Sequence, residues 1–472
     1  MKDNTRTAWR PRDIFIAVSL VVFAWQMPTL HVAVIDDQAP GAESPRIKTL
    51  QDRFRHNGVP EIKAFWREVT ERGVPLVESL PGDERHRLVT FLWQGQEDTR
   101  HVLIVGGVVP SWAYSKDSAE QKLMARLPGT DVWYKTYRAR SDARVTYLLS
   151  PNDPFVEDKK SPTWQLDPLN PHRFEFKLDP ENPESANVTP AVSVLSLPDA
   201  PPRRWTQPRE GIARGKITET RIKSTLLGNE RRLWIYTPPG YRARGNRYPL
   251  LVLFDGWEYL HWIPTPTILD NLLADRLISP VVAVLIDTVP WRGELACYPP
   301  FGSFMTKELF PWLRKQYHVT ADPERTILAG SSLGGLAATC YAFENPRTFG
   351  KVLSQSGSFW WRPPLLWPKQ SQSKGADDEA PEWLSRRLAA LPRAPLQLYI
   401  EIGLLESTGS PSMLDVNRHL RNVLQAKGYL FRYVEFNGRH EFVNWQETLG
   451  DGLVFLLGNA ARGRRGKSSG FQ

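Results

Sequence analysis

The chain has 472 residues, enough for two domains with separate cores, and its 41% hydrophobic and 24% charged content is that of a globular protein. A formal net charge of +9 suits an anionic partner. There is no recognition helix, RNA-binding signature or Cys/His ligand cluster, so nucleic acid is not the expected partner and no metal or cofactor is expected. Forty prolines and eighteen tryptophans point to many loops and an aromatic-rich surface or pocket. The two cysteines, Cys297 and Cys340, are too few for a disulfide framework and read as buried thiols, with a single bridge open to them in an oxidising compartment.

Residues 1–34 begin with Lys2, Arg6, Arg10 and Arg12, followed by the uncharged run Ile14–Trp25. A basic head before an apolar run of this length reads as a signal peptide or an uncleaved signal anchor, which predicts export. Were the run not a signal, a cytoplasmic protein would be expected.

Residues 45–200 alternate short β-rich runs with turn residues. Strands are predicted at 88–93, 102–105, 132–137 and 144–149, after an amphipathic helix over 60–72 that contains Phe65 and Trp66. This spacing predicts a small, immunoglobulin-like β-sandwich. It offers no paired nucleophile and base, so its expected role is substrate covering or domain docking. The Pro-rich stretch Leu197–Pro202 reads as a linker.

Over 210–460 the rhythm changes. A strand pair (216–224 and 232–237) is joined at Gly228-Asn229. Unbroken apolar runs at 249–254, 281–286, 326–329, 351–354 and 396–400 then alternate with helical patterns. Runs without alternation suit strands buried on both faces, and their alternation with helices predicts an open, mostly parallel α/β sheet whose site lies at the carboxyl ends of the strands. A basic tail, 461–472, is expected to be solvated.

The stretch Gly330-Ser331-Ser332-Leu333-Gly334 lies between an apolar strand and a small-residue helix. A Gly-x-Ser-x-Gly core in that setting forces its central serine into a strained, exposed turn, which makes Ser332 the candidate nucleophile. A serine hydroxyl needs a base, and an oriented imidazole serves near neutral pH. His440, in a turn after the predicted strand 431–436 and before a helix over 445–457, falls at the same sheet edge, whereas His419 lies in a helical run (414–426). The acid is expected between serine and histidine in chain order. Glu406, just after the strand 396–402, is the first choice, with Asp415 second and Glu401 third. The oxyanion donors are expected to be the amide of Leu333 and that of Trp257, on the loop after the strand that ends at Asp255.

With these residues in view, the chain resembles the enterochelin (enterobactin) esterases, in the esterase D-like branch of the α/β-hydrolases. The resemblance is carried by Gly330–Leu336, Leu353–Trp361, Asp255-Gly256, Arg292-Gly293-Glu294-Leu295 and Gly438-Arg439-His440 with Trp445. In the first domain it is carried by Leu127–Trp133 and Asp167–Pro171. It implies an α/β-hydrolase behind a β-rich N-terminal domain, and hydrolysis of a ferric catecholate trilactone, an anion that suits a basic protein. Arg292 is assigned to substrate by the family's Arg-x-x-Glu-Leu pattern, here one residue shorter. Arg439 either faces the anionic substrate or is solvated. Trp360 and Trp361 either line a catechol cleft or pack in the core, and Trp361 is the one assigned to substrate. An esterase for another aromatic-acid or acyl ester, and a non-catalytic siderophore-binding protein, are the competing readings.

Overall fold

A computed structural model describes residues 43–109, 119–155, 163–183, 185, 188–289, 292–363 and 380–458. The expected signal segment and the expected basic tail therefore lie outside the described residues. No helix among the described residues is long and apolar enough to cross a membrane.

The first part of the chain opens with two helices, α1 (Pro45–Asn57) and α2 (Val59–Arg72). Ser44 caps α1 by accepting the Ile47 amide at 3.2 Å, and Pro residues in the first turn of each helix preset its φ. Eight strands follow: β1 (Leu76–Leu80), β2 (Asp83–Gln94), β3 (Val102–Gly106), β4 (Ala125–Arg126), β5 (Val132–Arg140), β6 (Arg144–Pro151), β7 (Arg173–Glu175) and β8 (Ala191–Ser196). They form two antiparallel sheets, ordered β1-β2-β5-β4 and β3-β6-β8-β7. Inward side chains such as Val89, Phe91, Ile104, Val145, Tyr147 and Leu149 make the sandwich core. The outer face of the first sheet is covered by α1 and α2 through Ile47, Leu50, Phe65, Trp66 and Val69.

The second part contains β9 (Lys216–Ser224), β10 (Asn229–Thr237), β11 (Leu250–Leu253), α3 (Gly256–His261), α4 (Thr265–Ala274), β12 (Val282–Ile286), α5 (Pro299–Phe304), α6 (Phe310–Gln316), β13 (Thr326–Ser331), α7 (Leu333–Glu344), β14 (Lys351–Gln355), α8 (Trp383–Ala390), β15 (Gln397–Gly403), α9 (Met413–Ala426), β16 (Leu430–Phe436) and α10 (Phe442–Leu457). The eight strands form one sheet, ordered β16-β15-β14-β13-β11-β12-β10-β9. Strands β11 to β16 pair in parallel, and β9 and β10 extend the sheet antiparallel. Burial on both faces explains why β11 and β12 read as unbroken apolar runs.

One apolar cluster crosses between the two parts. Leu103, Val105, Leu148, Phe174, Val192 and Val194, on the outer face of the second sandwich sheet, pack with Trp257, Trp262, Val443 and Trp445. Each such side chain, fully buried, contributes about 1.5–3 kcal/mol, so the sandwich is bonded to the α/β domain rather than tethered beside it. Two face-covered sides also explain why β6 is buried at seven consecutive positions, without the alternation of a solvated strand.

Cys297 and Cys340 form a disulfide, with Cα atoms 5.8 Å apart, which corrects the expectation of two thiols. The turn that precedes α5 brings Cys297 against α7, a proximity that 43 residues of sequence separation conceal.

Candidate active site

Ser332 sits between β13 and α7 at φ 55°, ψ −120°, a conformation costly for any residue with a side chain. Strand and helix cross so closely there that a Cβ added to Gly330 would lie 2.5–2.8 Å from backbone atoms of Gly334. Only glycine fits, which is the physical content of the motif's first position. The turn is tied to the end of β14: the Ser332 amide donates to the Gln355 carbonyl at 2.9 Å, and the Ser358 amide donates to the Ser332 carbonyl at 3.0 Å. The Ser332 hydroxyl meets Ser358 Oγ at 3.3 Å. Among the described residues it makes no hydrogen bond to His440; such bonds commonly tighten only when substrate arrives.

Glu406 and His440 are brought together. His440 Nδ1 lies 2.6 Å from Glu406 Oε2. The carboxylate is buried, while the imidazole remains one-third exposed. The other oxygen, Oε1, accepts the Gly403 amide at 2.9 Å and the Ser356 hydroxyl at 2.6 Å. Ser356 Oγ in turn accepts Trp445 Nε1 at 3.1 Å, and the Trp445 ring stands edge-on to the imidazole with centroids 4.7 Å apart. Nδ1 is thereby set as the donor to a fixed carboxylate, leaving Nε2 to exchange a proton.

The other two carboxylates are occupied elsewhere. Asp415 closes a capping box with Ser412 at the start of α9, the two side chains 2.7 Å apart. Glu401 is fully buried on β15, where Oε1 accepts Gln355 Nε2 at 2.8 Å and the Thr448 hydroxyl. Burial pushes its carboxyl up to about 8. His419 is exposed on α9 and pairs with Glu382 at 3.0 Å.

Leu333 is the first residue of α7 and Trp257 the second of α3, so both amides belong to helix first turns that lack intrahelical acceptors. Their helices start from the neighbouring strands β13 and β11, at the carboxyl edge of the sheet. An oxyanion formed at Ser332 can be received by donors of this kind. Arg292 is half exposed and donates from Nη2 to Asp255 Oδ1 at 2.8 Å, beside the Thr288 hydroxyl, also 2.8 Å from that oxygen. Its short turn, Arg292–Leu295, is fastened by the buried, bidentate Arg231–Glu294 pair at 2.9 and 3.0 Å. Burial beside Asp255 pushes the neighbouring Glu258 up to about 7.

Two residues expected to touch substrate are placed differently. Trp361 is fully buried in the core, edge-on to Trp383 at 5.7 Å, while the adjacent Trp360 is half-buried. Arg439 is also buried: Nη1 donates to the carbonyls of Gly107 and Val109, and Nε lies 3.2 Å from Glu441 Oε1. Neither side chain is exposed to a solute, because each is used in packing that the linear motif does not reveal. Sequence reasoning missed Ser356 and Ser358. Both lie in the Gln355-Ser356-Gly357-Ser358 stretch at the end of β14, and that position beside β13 was the available signal. Among the described residues no group of three or more His, Cys, Asp or Glu is arranged to hold a metal.

Residues 224–456 match the putative esterase family, and residues 88–206 match the family of enterochelin esterase N-terminal domains. The iron(III) enterobactin esterase of Dickeya dadantii is 28% identical over 84% of this chain and 93% of that protein. The iron(III) salmochelin esterase of Escherichia coli is 28% identical over 87% and 98% respectively. Among solved structures, the ferric enterobactin esterase of Salmonella typhimurium superposes with a TM-score of 0.65 at 29% identity, covering 84% of this chain and 98% of that one. The two domain matches, the fold of both parts and the esterase relatives agree, and this chain belongs to the enterochelin esterase family of carboxylic ester hydrolases, a β-sandwich joined to an α/β-hydrolase.

Proposed function

We propose that the protein hydrolyses the ester bonds of a ferric enterobactin-type catecholate siderophore, with Ser332 as nucleophile, His440 as base and Glu406 as the acid that orients it. Ser332 Oγ attacks the ester carbonyl as its proton passes to His440 Nε2; the amides of Leu333 and Trp257 receive the oxyanion. The imidazolium, stabilised by Glu406, protonates the departing seryl alkoxide. Water then repeats the sequence on the acyl-enzyme and restores Ser332. The observation that carries this reading is extent: relatives named for enterobactin and salmochelin align over both domains, 84% and 87% of the chain. The half-exposed Arg292 and the +9 net charge suit a ferric tricatecholate trianion. Export to the periplasm is part of the proposal, supported by the basic head and apolar run of residues 1–34 and by the Cys297–Cys340 bridge.

The test is product analysis after incubating the purified protein with ferric enterobactin, iron-free enterobactin and methyl ferulate. Ring-opened trilactone products are expected, and Ser332→Ala is expected to lower turnover by about 10⁶-fold while retaining ligand binding. Turnover of the ferulate alone would overturn the siderophore reading. Undiminished function in Ser332→Ala would make the protein a binder rather than an esterase.

A further inference from the structure

The segment that carries the candidate base alternates its attachments. Asn437, Arg439 and Glu441 engage the sandwich, and the residues between them, Gly438 and His440, engage the catalytic side. The Asn437 carbonyl accepts the Arg144 amide at 3.3 Å, and its side-chain amide donates to Asp142 Oδ1 at 2.9 Å. Arg439 donates to the Gly107 and Val109 carbonyls, just past β3. Glu441 Oε2 accepts the Thr146 amide of β6 at 2.9 Å. On the opposite side the Gly438 carbonyl accepts the Leu405 amide at 3.0 Å, and His440 meets Glu406. The attachments thus alternate from one side to the other along residues 437–441, a bent loop between β16 and α10. Glu406 is anchored in the same way, because its neighbour Leu405 is buried in the sandwich core with Val145 and Leu149.

We infer that the sandwich domain positions the catalytic pair: Arg439 and Glu441 seat the His440 loop on β3 and β6, Leu405 seats Glu406 in the sandwich core, and together they hold imidazole and carboxylate in register with Ser332. The inference rests on reading Ser332, His440 and Glu406 as the triad. Arg439, Glu441 and Leu405 are positioning residues, since each acts through its neighbour. The charges enclosed at this junction include Arg439, Glu441, Lys122 and Glu406, with the buried Arg144–Glu447 pair beside Asn437, and burial makes the arrangement demanding: it pushes Glu441 up to about 7 and Lys122 down to about 8. Removing one charge would strand its partner in the interior, so the informative change removes both together. A displacement of about 1 Å in a reacting group costs on the order of 10²-fold in rate.

The experiment compares the full-length protein with the Arg439→Met/Glu441→Gln double variant and with the milder Asn437→Ala. Three readouts are taken: kcat and KM on p-nitrophenyl butyrate, the rate at which a fluorophosphonate labels Ser332, and the downfield proton resonance of the His440 Nδ1–H···Glu406 bond. For the double variant, kcat is expected to fall about 10- to 100-fold with KM within about two-fold, labelling to slow by the same factor, and the resonance to broaden or vanish. Asn437→Ala is expected to shift all three in the same direction, by about two- to five-fold in rate, and decides the matter if the double variant does not fold. Unchanged kcat, labelling and resonance in a folded variant, or a change confined to KM, would overturn the inference. A wild-type protein without esterase activity would sink the proposed function instead; the resonance would still decide whether the sandwich holds the pair.

Discussion

Ser332 and His440 stand at the same sheet edge, but they are held there by contacts of very different range. The serine turn is shaped by residues no more than 26 positions away: Gly330 against Gly334, and the end of β14 at Gln355 and Ser358. The histidine loop is held by contacts to Thr146 and Val109, 295 and 330 positions away in sequence. A nucleophile on a strained turn can be specified by a motif of five residues. An acid–base pair on two loops, after β15 and β16, has no such local constraint, and borrows rigidity from the neighbouring domain.

The difference can be broken or sharpened by substitution. The largest effect is expected for Glu406→Gln, which keeps the shape of the acid but puts a donor opposite Nδ1–H. A fall in kcat of about 10²- to 10⁴-fold is expected, measured on p-nitrophenyl butyrate; a variant within two-fold of wild type would remove Glu406 from the site. Next come two glycines. Gly330→Ala meets backbone that cannot move and is expected to cost about 3 kcal/mol, read by urea denaturation. Gly438→Ala meets the Asn444 side chain at 2.5–2.7 Å, which can rotate away at the expense of its bond to the Arg439 carbonyl. It is expected to cost about 1 kcal/mol and to lower kcat. Equal costs at the two positions would contradict the contrast between a locally built turn and a remotely braced loop.

Smaller effects test the carboxylates left outside the proposed triad. Burial raises Glu401 from an ordinary 4.5 to about 8, so the folded protein holds a proton that the unfolded chain releases. Its contribution to stability is complete below about pH 4.5 and is lost as pH rises through 8. Glu401→Gln removes that dependence, and its Tm relative to wild type is expected to climb between pH 5 and 9. A difference independent of pH would show that Glu401 ionises normally. Asp415→Asn is expected to cost only about 0.5–1 kcal/mol through its cap on α9, with kcat within two-fold; a large loss of turnover would reinstate it as a catalytic candidate.

Much of the fold was legible because it is written in short-range periodicity. The strand runs at 281–286 and 351–354 became β12 and β14, and the helix expected over 414–426 became α9, because unbroken apolar runs and 3.6-residue stripes report the environment of each segment directly. Elements with weak internal pattern were missed. Strand β4 has two exposed residues, Ala125 and Arg126, and exists by pairing with β5. Helix α1 has a mixed composition and is held by packing of Ile47 and Leu50 against the sandwich.

At the site, the sequence by itself determined the nucleophile turn, since glycine spacing, strand and helix are all local properties of residues 326–344. The strand-turn-helix setting of His440 then singled out the base, and chain order together with position relative to the predicted strand 396–402 ranked three carboxylates for the acid. Tertiary structure alone decided the rest. It put Glu406 2.6 Å from His440 and committed Asp415 to a helix cap. It turned Trp361 into core and Arg439 into a brace between domains, and joined Cys297 to Cys340. Whether a guanidinium or an indole meets solvent depends on which remote surface covers it, and that information is carried by packing between segments hundreds of residues apart rather than by any one of them.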